Sequence, residues 1–257
     1  MIKFLRRLVV VLLISYIGLV VYFYGAQRDY IYFPFPQDFD DCPALRAFDR
    51  VQEGDTRMYV KKGGDTWVLF YHGNAGSACD RDYATELFSG NYSFVIPEYI
   101  GYSNDDRLPS EAGLLANADD VRAFLLKVNA KKVIVTGESL GAAVAVYHDY
   151  RTPSDALLLI SPFKSLEDMA KLHYPYLPVG LLLKDHYRSY EWIAGAKRVL
   201  IVHGEEDDII PIGSARSLYD AIQSEEKRFA AIPSAGHNDI IGFPQVKNEI
   251  LAFLNDF

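Results

Sequence analysis

Cysteine is nearly absent: Cys42 and Cys79 are the only two among 257 residues. Two thiols cannot make a disulfide scaffold, and neither lies in a C-x-x-C or Cys/His spacing that would hold zinc. Whether they pair stays open, because pairing requires folding in an oxidising compartment. A basic surface is missing too. Lys3, Arg6 and Arg7 are the only charges before Arg28, so from residue 8 onward 34 acids face 23 bases, a net charge of −11. That acidic body lacks the cationic face a phosphate backbone demands, which argues against nucleic acid as a partner. No internal repeat or low-complexity block occurs. With 50% apolar and 23% charged residues, the chain can build a sizeable core as one generous domain or two small ones.

Charge is also missing over one long stretch. From Leu8 to Gln27 the chain carries none, and as a helix these 20 residues would span about 30 Å, the thickness of a hydrocarbon core. A cleaved signal peptide is the rival reading, with an apolar region of about 7 to 15 residues and small residues at −3 and −1. Ala26 fits −1, but Tyr24 would stand at −3. Residues 1–28 are therefore expected to be an uncleaved signal anchor, with Tyr16, Tyr22, Phe23 and Tyr24 toward an aromatic interface belt. Three basic residues precede the span and only Arg28 follows closely. The positive-inside rule then keeps the N-terminus cytoplasmic and sends the body into the periplasm or another extracytoplasmic space.

Residues 29–47, rich in proline and aromatics, read as a connector, and residues 48–257 as one domain. Phe48–Gln52 and Met58–Lys61 flank Glu53-Gly54-Asp55 as an opening hairpin. Six β-rich runs follow: Trp67–Tyr71, Phe94–Ile96, Lys132–Thr136, Ala156–Ile160, Arg198–Val202 and Phe229–Ile232. Helix-like stretches separate them. The clearest is Glu111–Val128, where Leu114, Ala118, Val121, Leu125 and Val128 share one face and Pro109-Ser110 mark the start. Val246, Ile250, Phe253 and Leu254 repeat the pattern near the C-terminus. Strands separated by helices need crossovers, so the fold class is α/β, with a mostly parallel sheet covered by helices on both faces and a short antiparallel start. Ligands of such sheets bind at the carboxyl ends of the strands.

The chemistry-bearing residues fall at those ends. Gly137-Glu138-Ser139-Leu140-Gly141 is a G-x-S-x-G between a β-branched run and a helix-forming stretch, Ala142–Tyr150, which would present Ser139 on a sharp turn. A serine hydroxyl needs a base to take its proton, and the base needs a carboxylate to fix its tautomer. His237 follows the last β-rich run in Gly236-His237-Asn238-Asp239, and Asp207 and Asp208 follow the run before it in His203-Gly204-Glu205-Glu206-Asp207-Asp208. Either aspartate can reach from that loop, while Glu205 and Glu206 read as solvated acids. His72 and His203 read as residues that order their loops. A metal site made of His72, His203 and His237 is the competing reading, but no H-x-x-x-H pair or carboxylate cluster supports it.

Together these motifs resemble the α/β-hydrolase superfamily, and within it the membrane-anchored serine hydrolases that include depalmitoylase-like members. The match covers about residues 28–257 through His72-Gly73-Asn74-Ala75, Gly101-Tyr102, Pro109-Ser110-Glu111, the Ser139 pentapeptide, Ser161-Pro162-Phe163, His203-Gly204 with Asp207 and Pro211, and Gly236-His237-Asn238. The resemblance implies a triad in the chain order Ser139, Asp207, His237. The family's spacing, His-Gly, two residues, Asp, three residues, Pro, selects Asp207 over Asp208. It implies oxyanion donors from the backbone N–H of Leu140 and of Asn74, with Ala75 second to Asn74, and no metal or organic cofactor. Ile100 departs from the arginine often found there, leaving Tyr99–Ser103 either a substrate contact or a packed aromatic turn. Only 36 residues lie from Pro162 to Lys197, so a short insertion replaces a large cap, and Leu177–Leu183 would either shield an acyl chain or pack on the body. The implied activity is cleavage of an ester or thioester of a small molecule, lipid or acylated protein through an acyl-enzyme. A peptidase of the same fold and a non-catalytic membrane-tethered binding protein are the alternatives, and oligomeric state is not legible.

Overall fold

The hairpin and the six β-rich runs join one eight-stranded sheet in the computed structural model, which describes residues 1–255. The strands are β1 (Asp49–Glu53), β2 (Thr56–Lys61), β3 (Thr66–Tyr71), β4 (Ser93–Glu98), β5 (Lys132–Glu138), β6 (Ala156–Ile160), β7 (Val199–Gly204) and β8 (Lys227–Ile232). Their order across the sheet is β8-β7-β6-β5-β3-β4-β2-β1. β1–β2 and β2–β4 pair antiparallel, and every other neighbouring pair is parallel. The hairpin turn holds Gly54 at φ 55°, a left-handed conformation that glycine adopts without steric cost.

The α-helices among the described residues are α1 (Ile2–Ala26), α2 (Glu111–Lys127), α3 (Leu140–Arg151), α4 (Leu166–His173), α5 (Val179–Leu182), α6 (Ser189–Trp192), α7 (Ile212–Asp220) and α8 (Pro244–Leu254), and a 3-10 segment lies at Ala78–Thr85. Ser110 caps α2 by accepting the Gly113 N–H at 3.1 Å. Alternate residues of each central strand enter opposite cores. Leu69, Val135, Leu157 and Ile201 pack with α2 and α3, while Val68, Phe70, Ile134, Leu158 and Leu200 pack with the 3-10 segment and α8. Burial on both faces is why these strands read as unbroken apolar runs instead of alternating ones.

The connector is laid into the body. Tyr32, Phe39, Cys42 and Leu45 are buried, Phe33–Pro34 pairs in parallel with Ala75–Gly76, and Cys42 forms a disulfide with Cys79. Ahead of it, α1 buries no side chain and is long and apolar enough to cross a membrane. Its C-terminal half runs along the insertion between β6 and β7. The Tyr16 hydroxyl donates to the Tyr176 carbonyl at 2.8 Å, Gln27 Nε2 donates to the Leu182 carbonyl at 3.0 Å, and Arg28 pairs with Asp185 at 2.8 Å. The insertion is pinned from the other side by α2. Glu111 accepts the backbone N–H groups of His186 and Tyr187 at 2.6 and 2.8 Å, and Asp185 accepts the N–H of Glu111 at 3.1 Å.

Candidate active site

Ser139 stands between the end of β5 and the start of α3 with φ 51° and ψ −119°, a conformation costing a non-glycine residue about 1 to 3 kcal/mol. Close packing enforces that turn. A Cβ on Gly137 would lie 2.3 Å from the Gly141 carbonyl oxygen, and one on Gly141 would lie 2.1 Å from that of Tyr71, so neither position accepts a side chain. The Ser139 N–H is held by the Ile160 carbonyl at 2.9 Å, which fixes the turn to β6.

Two loops converge on this serine. His237 Nε2 lies 3.0 Å from Ser139 Oγ, and His237 Nδ1 lies 2.7 Å from Asp207 Oδ2. The other carboxylate oxygen, Oδ1, accepts the N–H groups of Ile209 and Ile210 at 3.1 and 2.7 Å. The loops are joined before they reach the serine: the N–H of Glu205 donates to Ile232 and that of Glu206 to Ala235, both at 3.0 Å. Gly204 permits this approach, because a Cβ there would sit 2.2 Å from the Ala235 carbonyl oxygen. Burial pushes the Asp207 carboxyl up, but the hydrogen bonds from His237 and Ile210 outweigh it and leave its pKa below the ordinary value. Asp208, Glu205 and Glu206 are exposed.

His203 is buried beneath the acid loop, and burial lowers its pKa, which keeps the ring neutral. Its Nε2 donates to the Ile210 carbonyl at 2.8 Å and so orders the turn that carries Asp207. His72 plays the matching part under the other loop, donating from Nδ1 to the Gly73 carbonyl at 2.7 Å. His203 Nε2 and His237 Nδ1 lie 3.3 and 2.7 Å from Asp207 Oδ2, and among the described residues no group of three His, Cys, Asp or Glu side chains is placed to hold a metal.

The loop after β3 lies against the serine: a Cβ on Gly73 would be 3.7 Å from Ser139 Cβ. Asn74 follows it, with Nδ2 donating to the Ile31 carbonyl at 2.7 Å and its own carbonyl accepting the Phe33 N–H and the Tyr102 hydroxyl at 2.9 and 2.7 Å. These bonds turn the side chain and carbonyl of Asn74 toward the protein. Leu140 is the first residue of α3, where a backbone N–H has no partner within the helix. Tyr99 and Tyr102 are fully buried, and the Tyr99 hydroxyl donates to the His72 carbonyl at 2.8 Å, so Tyr99–Ser103 is a packed aromatic turn supporting the Asn74 loop.

Two carboxylates that motif reading passed over tie these parts together. Glu138 accepts the Gly73 N–H at 3.2 Å and the Tyr83 hydroxyl at 2.6 Å, with Arg81 Nε 3.3 Å away, linking the serine turn to the loop after β3. Glu98 is wholly buried, accepts the Ala78 N–H at 3.1 Å and lies 3.3 Å from His72 Nε2. Glu138 occupies a variable position of the pentapeptide and Glu98 ends an apolar strand, so only three-dimensional proximity reveals either role.

No family model matches the chain. It is 36% identical over 251 residues to Rv2307c, an uncharacterised protein of Mycobacterium tuberculosis, covering 91% of this chain and 89% of that protein. It is 30% identical to the lysophosphatidylserine lipase ABHD12 of Danio rerio, over 79% of this chain and 62% of the lipase. Among solved structures, the thermophilic esterase Est2 of Thermogutta terrifontis matches with a TM-score of 0.63 at 17% identity, over 83% of this chain and 94% of the esterase. At that identity the likeness is one of fold.

Proposed function

The chain belongs to the α/β-hydrolase superfamily, and from that premise we propose that it is a membrane-anchored serine hydrolase cleaving a carboxylic ester or thioester through an acyl-enzyme. The observation that carries the reading is the continuous bonded line from Ser139 Oγ through His237 to Asp207, at 3.0 and 2.7 Å. In this reading Asp207 holds the His237 proton on Nδ1, leaving Nε2 free to take the proton of Ser139 as Oγ attacks the carbonyl carbon. The tetrahedral oxyanion is met by the backbone N–H groups of Leu140 and Asn74, each donor being worth about 2.7 to 4 kcal/mol in the transition state. His237 then returns the proton to the departing alkoxide or thiolate. Water attacks the acyl-Ser139 ester by the same route, releasing the acid and restoring the hydroxyl. These steps use only this chain's own residues and water.

The anchor reading is supported by α1 and by the three basic residues at its start, which by the positive-inside rule favour a cytoplasmic N-terminus. The Cys42–Cys79 disulfide fits a body that folds in an oxidising, extracytoplasmic space. The test is labelling of the full chain by a fluorophosphonate probe. The wild type should label and Ser139→Ala should not; a folded wild type that never labels sinks the proposal.

A further inference from the structure

An apolar cavity of about 150 Å³ lies between α1 and the insertion, walled by Phe23, Tyr30, Ile31, Met169, Leu177 and Leu182 among others. That volume matches the engineered apolar cavities of about 150 Å³ that stay dry and bind benzene, so it holds about six carbon atoms. Two of its walls are bonded to the loops flanking Ser139. Ile31 accepts from Asn74, and His173, which also lines the cavity, donates from Nε2 to the Ile209 carbonyl at 3.0 Å, two residues beyond Asp207.

The other side of the cavity is the anchor itself. The Tyr16–Tyr176 bond lies ten residues before the C-terminal end of α1, about 15 Å along the helix, so the insertion reaches well up the apolar segment. Within the insertion Leu172, Tyr176 and Leu181 are 52%, 85% and 88% exposed. In water such exposed apolar side chains are unfavourable; beside a spanning helix they would contact lipid at no cost.

We infer that the acyl chain of a bilayer-resident ester enters between α1 and the insertion and lodges in this cavity, so that the anchor is a wall of the substrate site. This rests on the serine-hydrolase reading. Its particular content is the route and the part played by α1: the chain arrives sideways from lipid, and its ester reaches Ser139 between the Asn74 and Asp207 loops. Each methylene buried there is worth about fourfold in binding, so excluding two or more reduces long-chain turnover at least tenfold.

The experiment uses the full chain in phosphatidylcholine vesicles with p-nitrophenyl palmitate and p-nitrophenyl butyrate. Ala170, a lining residue, is replaced in Ala170→Phe, which fills the cavity. The ratio of kcat/KM for palmitate over butyrate should fall at least tenfold. In parallel, the wild type is irradiated with a palmitoyl ester bearing a diazirine near the chain end. Label should appear on Met169 or Ala170, inside the cavity, and not on α1 alone, which bulk lipid reaches. A ratio within twofold of wild type in a variant that still reacts with fluorophosphonate, or photolabel absent from Met169–His173, overturns the inference and leaves the hydrolase reading standing. A wild type that fails to react with fluorophosphonate overturns the hydrolase reading instead. Should Ala170→Phe lose fluorophosphonate reactivity, the wild-type photolabel decides.

Discussion

Asp207→Asn separates the electrostatic role of Asp207 from its structural one, because its two oxygens have different partners. Oδ1 accepts the N–H groups of Ile209 and Ile210 at 3.1 and 2.7 Å, while Oδ2 faces His237 Nδ1 at 2.7 Å. In asparagine the amide oxygen keeps the two backbone donors, which turns the NH2 group toward His237. That group only donates, so Nδ1 must accept and the ring proton moves to Nε2. Nε2 sits 3.0 Å from Ser139 Oγ, and once protonated it donates to the oxygen it should deprotonate. The expected loss in kcat is about 10,000-fold, the scale seen when a triad aspartate is replaced this way, or about 5.4 kcal/mol at 1.36 kcal/mol per decade. Stability should fall by no more than about 3 kcal/mol, since one charge-assisted bond becomes a neutral one and the loop's backbone bonds remain. Steady-state hydrolysis of p-nitrophenyl butyrate and a thermal melt on the same detergent-solubilised protein measure both. The reasoning fails if the folded variant keeps more than a tenth of wild-type kcat, or if Asp208→Asn, on an exposed side chain, does equal damage.

Gly204→Ala would place a methyl 2.2 Å from the Ala235 carbonyl oxygen and force the Asp207 and His237 loops apart; a loss of about 1 to 3 kcal/mol should accompany reduced kcat, and wild-type values for both would contradict the packing argument. Burial drives His148 from its ordinary 6.5 down to about 3, so between those pH values the unfolded chain takes up a proton that the folded one refuses. The stability this supplies is complete above pH 6.5 and drains away as pH falls toward 3, in total on the order of 5 kcal/mol. His148→Gln keeps an acceptor for the Tyr71 hydroxyl and should flatten the pH dependence of the urea midpoint over that window; an unchanged slope would assign it elsewhere. The Cys42–Cys79 disulfide spans a separation of 37 residues, worth about 4 kcal/mol in loop-closure entropy. Paired Cys42→Ser and Cys79→Ser should lower the melting temperature by about 8 to 15 °C, and an unmoved melt, with or without reductant in the wild type, would show that the closure argument does not hold.

Much of this architecture is legible in the sequence. The Ala156–Ile160 run is a strand with those same ends, and the helix read as Glu111–Val128 ends one residue earlier, because apolar period and capping are local signals. The placement of Ser139, Asp207 and His237 at strand ends was legible for the same reason, since turns follow β-rich runs in order along the chain. The four-residue helices α5 and α6 were not, being too short to show a period. Nor was the clamp of Arg28, Asp185 and Glu111. Its partners lie 157 and 74 residues apart, and a charged side chain carries no mark of which distant group it will meet. The docking of α1 against the insertion is hidden likewise, because length and apolar composition mark a helix able to cross a membrane without saying what lies beside it.

Because α1 and the turn that follows it are bonded to the body at Tyr16, Gln27 and Arg28, a bilayer surrounding α1 would have the height and tilt of the candidate site above it set by the fold. A floppy linker would let the body sample a hemisphere of solution. A rigid mount in a membrane would confine encounters to the plane, where the governing variable is the mole fraction of substrate in the surface and not its bulk molarity. Diluting such an enzyme's substrate with inert lipid would slow it at constant total concentration, whereas adding buffer would not.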